Sequence, residues 1–172
     1  MEPIVFEKSP LTLAEFTSIN WKYLQKIRKI IFVLPVVMLI PFVSSISYLF
    51  AGGDGKFDRN ALWMPLVILA FYIFTYYSYV KAFKKNYDNT PALSDGLTYT
   101  LSDDSIIMQG NAVNSVLPWP ATFKKAVRIN RWILLSSSGA AAYYLDTTQI
   151  IAPATVTDIE QMFQRKGVKM VK

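Results

Sequence analysis

A chain of 172 residues in which 52% of side chains are hydrophobic, 15% aromatic and only 17% charged is too apolar for an ordinary soluble domain and points to a membrane protein. The absence of cysteine and histidine excludes disulfides, thiolate nucleophiles, imidazole bases and the commonest zinc ligands. A formal net charge of +6 suits an anionic neighbour, either nucleic acid or phospholipid, and the placement of the charges decides between them.

From the N-terminus, "PIVFE" at 3–7 is a β-prone piece with no local partner, so it is expected to join a sheet built further along the chain. In "LTLAEF", Thr12 stands three residues before Glu15, a capping box that starts a helix at Leu13 and completes an N-terminal segment over 1–29. The runs Ile30 to Phe50 and Ala61 to Val80 hold no charge. At about 1.5 Å per residue, roughly 20 residues cover a hydrocarbon core of about 30 Å, so 30–80 reads as a two-helix transmembrane hairpin. Pro35, Pro41 and Pro65 lie inside the spans, where they bend the axis. A cleaved signal peptide is the rival reading of the first span, but the flank ahead of it is too long and so is the apolar run.

The loop "AGGDGKFDRN" balances two bases against two acids, whereas Lys22, Lys26, Arg28 and Lys29 precede the first span and Lys81, Lys84 and Lys85 follow the second. This asymmetry puts both termini inside, making a multi-pass protein of the cytoplasmic (inner) membrane. The aromatic band Phe71, Tyr72, Phe74, Tyr76, Tyr77 and Tyr79 falls where amphipathic rings anchor at the inner headgroups.

Asn89, Pro91, Ser94 and Gly96 make 81–96 a turn-rich linker. Beyond it the periodicity changes to that of strands, at 97–101, 105–109, 112–117, 123–129, 132–136 and 140–145, which reads as an antiparallel meander. Prolines on both sides of Trp119 cannot donate to a ladder, so "LPWP" is a strand-end corner that buries the indole. A final amphipathic helix has Ile159, Met162 and Phe163 on one face, a capping box at Thr157 and Glu160, and Gly167 as its stop. The fold class is therefore α+β: a transmembrane hairpin plus a small antiparallel β domain over 97–172 closed by a C-terminal helix, with the N-terminal strand joining the sheet.

The order of these elements, together with "LTLAEF", "LSDDSIIMQ", "LPW" at 117–119, the hairpin "AVRINRWILL" and the helix "VTDIEQMFQRKG", resembles the bacterial YcxB-like proteins along most of the chain. The resemblance implies a compact domain related in shape to pleckstrin-homology-like (PH-like) domains, held at the inner face of the membrane by a helical hairpin. It implies no established activity. The resemblance lapses at Ala152 to Val156, "APATV", where the family usually carries a basic residue and an aromatic.

No constellation for catalysis, cofactor or metal binding emerges. Asp103 and Asp104 sit at a hairpin tip open to water, and their side chains serve the turn. "GGDG" at 52–55 lacks the strand, helix and lysine of a phosphate loop. Ser136 to Ser138 have no histidine to activate them and read as a turn. What remains is electrostatic. From Leu97 onward eight basic residues stand against five acidic ones. Period-two alternation puts Lys124 and Arg128 on an outward face with Ala126, and Phe123, Val127 and Ile129 on the packed face. Lys124, Lys125, Arg128 and Arg131, with the juxtamembrane Lys81, Lys84 and Lys85, are the candidate contacts for anionic headgroups or a protein partner. The expected function is a non-enzymatic, membrane-tethered binding or scaffold module. The alternative is an accessory or homo-oligomer-forming subunit acting through its spans. The lipid bilayer is the expected partner, with no nucleic acid, since no base-stacking motif accompanies the charge, and with no small-molecule substrate identified.

Overall fold

The computed structural model describes residues 2–29, 63–111, 113–119, 123–137 and 142–171, together with Val33, Val37, Ile40 and Val43. They fall into two compact units, one built from residues 1–23 and 85–172, the other from 24–84.

The first unit begins with β1 (Ile4–Ser9), the expected N-terminal strand, which pairs antiparallel with β2 (Leu97–Leu101) in the register Ile4 to Leu101 and Phe6 to Tyr99. β3 (Ser105–Gln109) and β4 (Asn114–Pro118) extend this to a four-stranded sheet in the order β1-β2-β3-β4. A second sheet, ordered β7-β6-β5-β8, consists of β5 (Phe123–Ile129), β6 (Trp132–Ser137), β7 (Ala142–Asp146) and β8 (Lys169–Val171). The expected meander is thus divided between two sheets, and β8, which the sequence reading missed, adds parallel to β5. The β5–β6 hairpin turns at Asn130, whose φ of 54° lies in the left-handed region that asparagine tolerates better than most residues.

One core joins the two sheets. Ile4, Phe6, Tyr99, Leu101, Ile106 and Met108 from the first sheet meet Phe123, Ala126, Ile133, Leu135 and Leu145 from the second. Between them lies the amphipathic helix α4 (Val156–Arg165), whose Ile159, Met162 and Phe163 are fully buried as their spacing predicts. Its cap lies two residues earlier than expected. Asp158 N donates to Thr155 Oγ1 (3.4 Å) and Thr155 N to Asp158 Oδ2 (2.8 Å), so Thr155 and Asp158 form the capping box that Thr157 and Glu160 do not. The helix stops as the sequence predicts. Val168 N reaches Phe163 O (2.9 Å) and Gly167 N reaches Gln164 O (3.2 Å), with Gly167 at φ +70°, a conformation that glycine adopts without a Cβ penalty. The chain does not end there, because this turn delivers β8 to β5.

The outer face of the second sheet is buried as well. Val127, Ile129, Trp132, Leu134 and Tyr144 are all buried, and helix α1 (Leu13–Ile27) lies on this face. The Phe16 ring lies tilted against Tyr144 with centroids 5.5 Å apart, and the Tyr144 hydroxyl donates to Asn20 Oδ1 (3.1 Å). The helix begins with the predicted box: Thr12 N donates to Glu15 Oε2 (3.2 Å) and Glu15 N to Thr12 Oγ1 (3.3 Å).

Helix α2 (Trp63–Asp88) is a continuous 26-residue helix, roughly 39 Å long at about 1.5 Å per residue. Among the described residues it is the one helix with the length and apolar composition to cross a membrane, over Leu66–Asp88. The expected linker at 81–96 is therefore mostly helical: α2 runs through to Asp88, and α3 (Pro91–Asp95) follows after one turn. Pro91 does not break this helix because it occupies its first turn, where the missing N–H costs nothing. The first expected span, 30–50, lies outside the described residues except for Val33, Val37, Ile40 and Val43, which are helical with exposed side chains. "GGDG" also lies outside them.

Candidate functional site: the basic surface of the second sheet

The alternation that was expected to turn Lys124 and Arg128 outward is broken by a bulge. Phe123 pairs with Ser137 and Lys125 with Ser136, so Lys124 is the extra residue of β5. After it the faces exchange. Ala126, expected on the solvent side, is completely buried in the core, and Val127, the next residue, is buried on the opposite face. Because both faces of this sheet are covered, period two could not report which one meets water.

The candidate residues consequently have different fates. Arg128 shares the core-facing parity with Ala126, and its Nη1 emerges to meet Glu160 Oε1 of α4 at 3.3 Å, with the guanidinium side chain 39% exposed. Arg131 is a clasp. Its Nη2 lies 2.8 Å from Glu15 Oε1 on α1, its Nε lies 3.3 Å from Asp146 Oδ2, and its guanidinium carbon sits 5.3 Å from the Trp132 ring centroid. Asp146 is the buried charge that the sequence reading missed. Besides Arg131 it accepts from Ser9 Oγ (3.3 Å), Thr148 N (3.0 Å) and Thr148 Oγ1 (2.7 Å), so the carboxylate is fully solvated by protein donors. Four separate stretches of chain meet at this one network.

Lys124 is exposed and Lys125 half-buried. β8 places Lys169 beside Lys125 in parallel register. Lys81, Lys84 and Lys85 lie on the last turns of α2, all exposed. Lys125 and Arg131 are six residues apart on one hairpin, roughly 20 Å along an extended strand. The structure therefore joins Lys125 with Lys169, leaves Lys124 at the bulge, and sets Arg128 and Arg131 into ion pairs instead.

In the acidic turn the side chain bonded to the backbone is that of Ser102, where Asp103 and Asp104 were expected to serve. Ser105 N donates to Ser102 Oγ (3.1 Å), Trp119 Nε1 donates to Ser102 O (2.7 Å), and Asp103 pairs with Lys166 Nζ at 3.3 Å. Trp119 is buried as the corner reading requires, with its ring against Phe123 and Phe163. Burial pushes the Tyr144 hydroxyl up to about 12, partly offset by its hydrogen bond to Asn20, so it stays a neutral donor. Two surface hollows adjoin this unit. One, of about 330 Å³, lies between β1 and Ile151–Ala154 with Glu2 and Asp158 as its carboxylates. The other, of about 460 Å³, lies between the polar face of α4 and β8. Among the described residues no three carboxylates gather to hold a metal ion.

No family model matches the chain, and no curated protein or solved structure is significantly similar to it.

Proposed function

We propose that the chain is a non-enzymatic, membrane-tethered binding module, YcxB-like in its organisation, whose PH-like domain sits at the cytoplasmic face of the inner membrane and offers basic residues to an anionic partner. The observation that carries the reading is the pairing of β1 with β2. Both flanks of residues 24–84 belong to one folded unit, so they must lie on one side of any bilayer. A crossing by α2 then requires a second crossing between α1 and α2, and the uncharged run 30–50 has the length for it. The exposed apolar side chains of α2, such as Phe71 at 66% and Phe74 at 71%, suit lipid better than water. Lys81, Lys84 and Lys85 at its C-terminal end supply the positive-inside signal. One antiparallel and one mixed sheet, packed around a C-terminal helix, support the PH-like description.

The chain has no cysteine, so a single introduced thiol reports one position. Glu7→Cys and Gln161→Cys in the folded unit are expected to react with an impermeant maleimide only after the membrane is opened, and Gly53→Cys in intact cells. Labelling of Glu7→Cys or Gln161→Cys in intact cells would reverse the orientation, and recovery of the chain in the soluble fraction would remove the tether.

A further inference from the structure

We infer that Lys169 and Lys125, in adjacent positions across β8 and β5, form an anion site that takes a phosphate group. The inference deepens the proposed function and rests on its reading of the domain as a contact module for anions. Three observations converge on it. The first is register. Lys125 pairs with Lys169 on one side and with Ser136 on the other, so all three side chains project from the same face of the sheet, with strand spacings of about 4.8 Å between neighbours. The second is the bulge at Lys124. Without that extra residue Lys125 would share the parity of Phe123 and point into the core; with it, Lys125 turns to the outer face, opposite Lys169. The third is charge balance. Arg128, Arg131 and Lys166 each have a carboxylate within 3.3 Å. Among the described residues Lys125 and Lys169 have none.

Like charges held in directly adjacent cross-strand positions repel one another and destabilise the pairing. Here the repulsion falls where β8, only three residues long, is attached. A bound dianion removes it. Lysine ammoniums are compact charges with rotatable donors, so two of them converge on a tetrahedral phosphate without the planar match that a carboxylate finds in arginine. The next row inward, Val171, Val127 and Leu134, is apolar, which confines the polar contact to the end of the sheet.

The shared chemistry is a phosphate monoester, carried by a lipid headgroup or free in solution. The test uses the full chain, folded in neutral detergent, titrated with inorganic phosphate while the melting midpoint is followed, and the same chain in nanodiscs with and without phosphatidic acid. Wild type is expected to be stabilised by the ligand it takes. Lys125→Ser and Lys169→Ser are each expected to weaken that ligand roughly tenfold, as befits loss of one charge-assisted hydrogen bond. Lys8→Ser, a single exposed lysine on β1, is expected to leave binding unchanged. Stabilisation by inorganic phosphate assigns a free phosphoryl group, and stabilisation only by phosphatidic acid assigns the headgroup. No stabilisation by either, or equal loss in Lys8→Ser, overturns the site. Because the detergent titration needs no bilayer, a failed site is distinguishable from a failed tether.

Discussion

Asp146 and Arg131 show what a single side chain does that its neighbours in sequence do not announce. A carboxylate 2% exposed costs several kcal/mol to desolvate unless it is paired and hydrogen-bonded, and it is both. Arg131→Met keeps the apolar stem over Trp132 and removes the cation. Ser9 and Thr148 still donate to Asp146, so the expected loss is about 2 kcal/mol rather than the 3–5 kcal/mol typical of a buried carboxylate left without its partner. Chemical denaturation of the full chain in detergent measures it, and a variant as stable as wild type would show the clasp to be dispensable. Arg131 was legible in the sequence as a base at a hairpin tip. Its partners were not, since Glu15 lies 116 positions away and no local pattern marks such a pairing.

The elements came through the sequence unevenly, for reasons that differ from one to the next. α1 starts at the residue its capping box marks, because capping is local and the box is complete within four residues. For α4 two threonines compete, and backbone geometry chooses the earlier one. Thr155→Ala is therefore expected to cost about 1 kcal/mol of stability and Thr157→Ala only a few tenths, read as a difference in melting midpoint. The same cap carries a pH dependence. The Thr155 hydroxyl, and then the Thr155 backbone N–H, hold the Asp158 carboxyl below the usual range. A carboxyl depressed in the folded state contributes stability that is fully present above its unfolded value and is lost as pH falls through the folded one. Acid titration of wild type should therefore include a loss of stability that Asp158→Asn lacks. Strand β8 escaped the sequence reading because three residues carry too little period to be seen, and parallel addition to β5 has no hairpin turn to advertise it.

For the molecule as a whole, the chain's two ends fold together although the apolar segment lies between them. Phe6, 1% exposed, fills the core between strands that begin at Leu97. Phe6→Ala is expected to cost about 3–5 kcal/mol, as much as a central core position, and to loosen both sheets together. A thermal melt of the full chain in which Phe6→Ala unfolds at the wild-type temperature would show that β1 is an appendage. It also follows that a fragment beginning at residue 90 lacks part of its own core and is a poor surrogate for the domain. By itself the sequence determined the apolar segments, the start of α1, the stop of α4 at Gly167, the positions of β1 to β7 to within a residue or two, the buried Trp119 corner and the joining of β1 to the later strands, because composition, capping and period are local signals. Only the tertiary structure decided which face of β5 meets water, which bases are already neutralised and which two lysines stand together. Those outcomes depend on one bulge, on a helix covering the second face of a sheet, and on a parallel strand arriving from 44 residues away in the register Lys125 to Lys169.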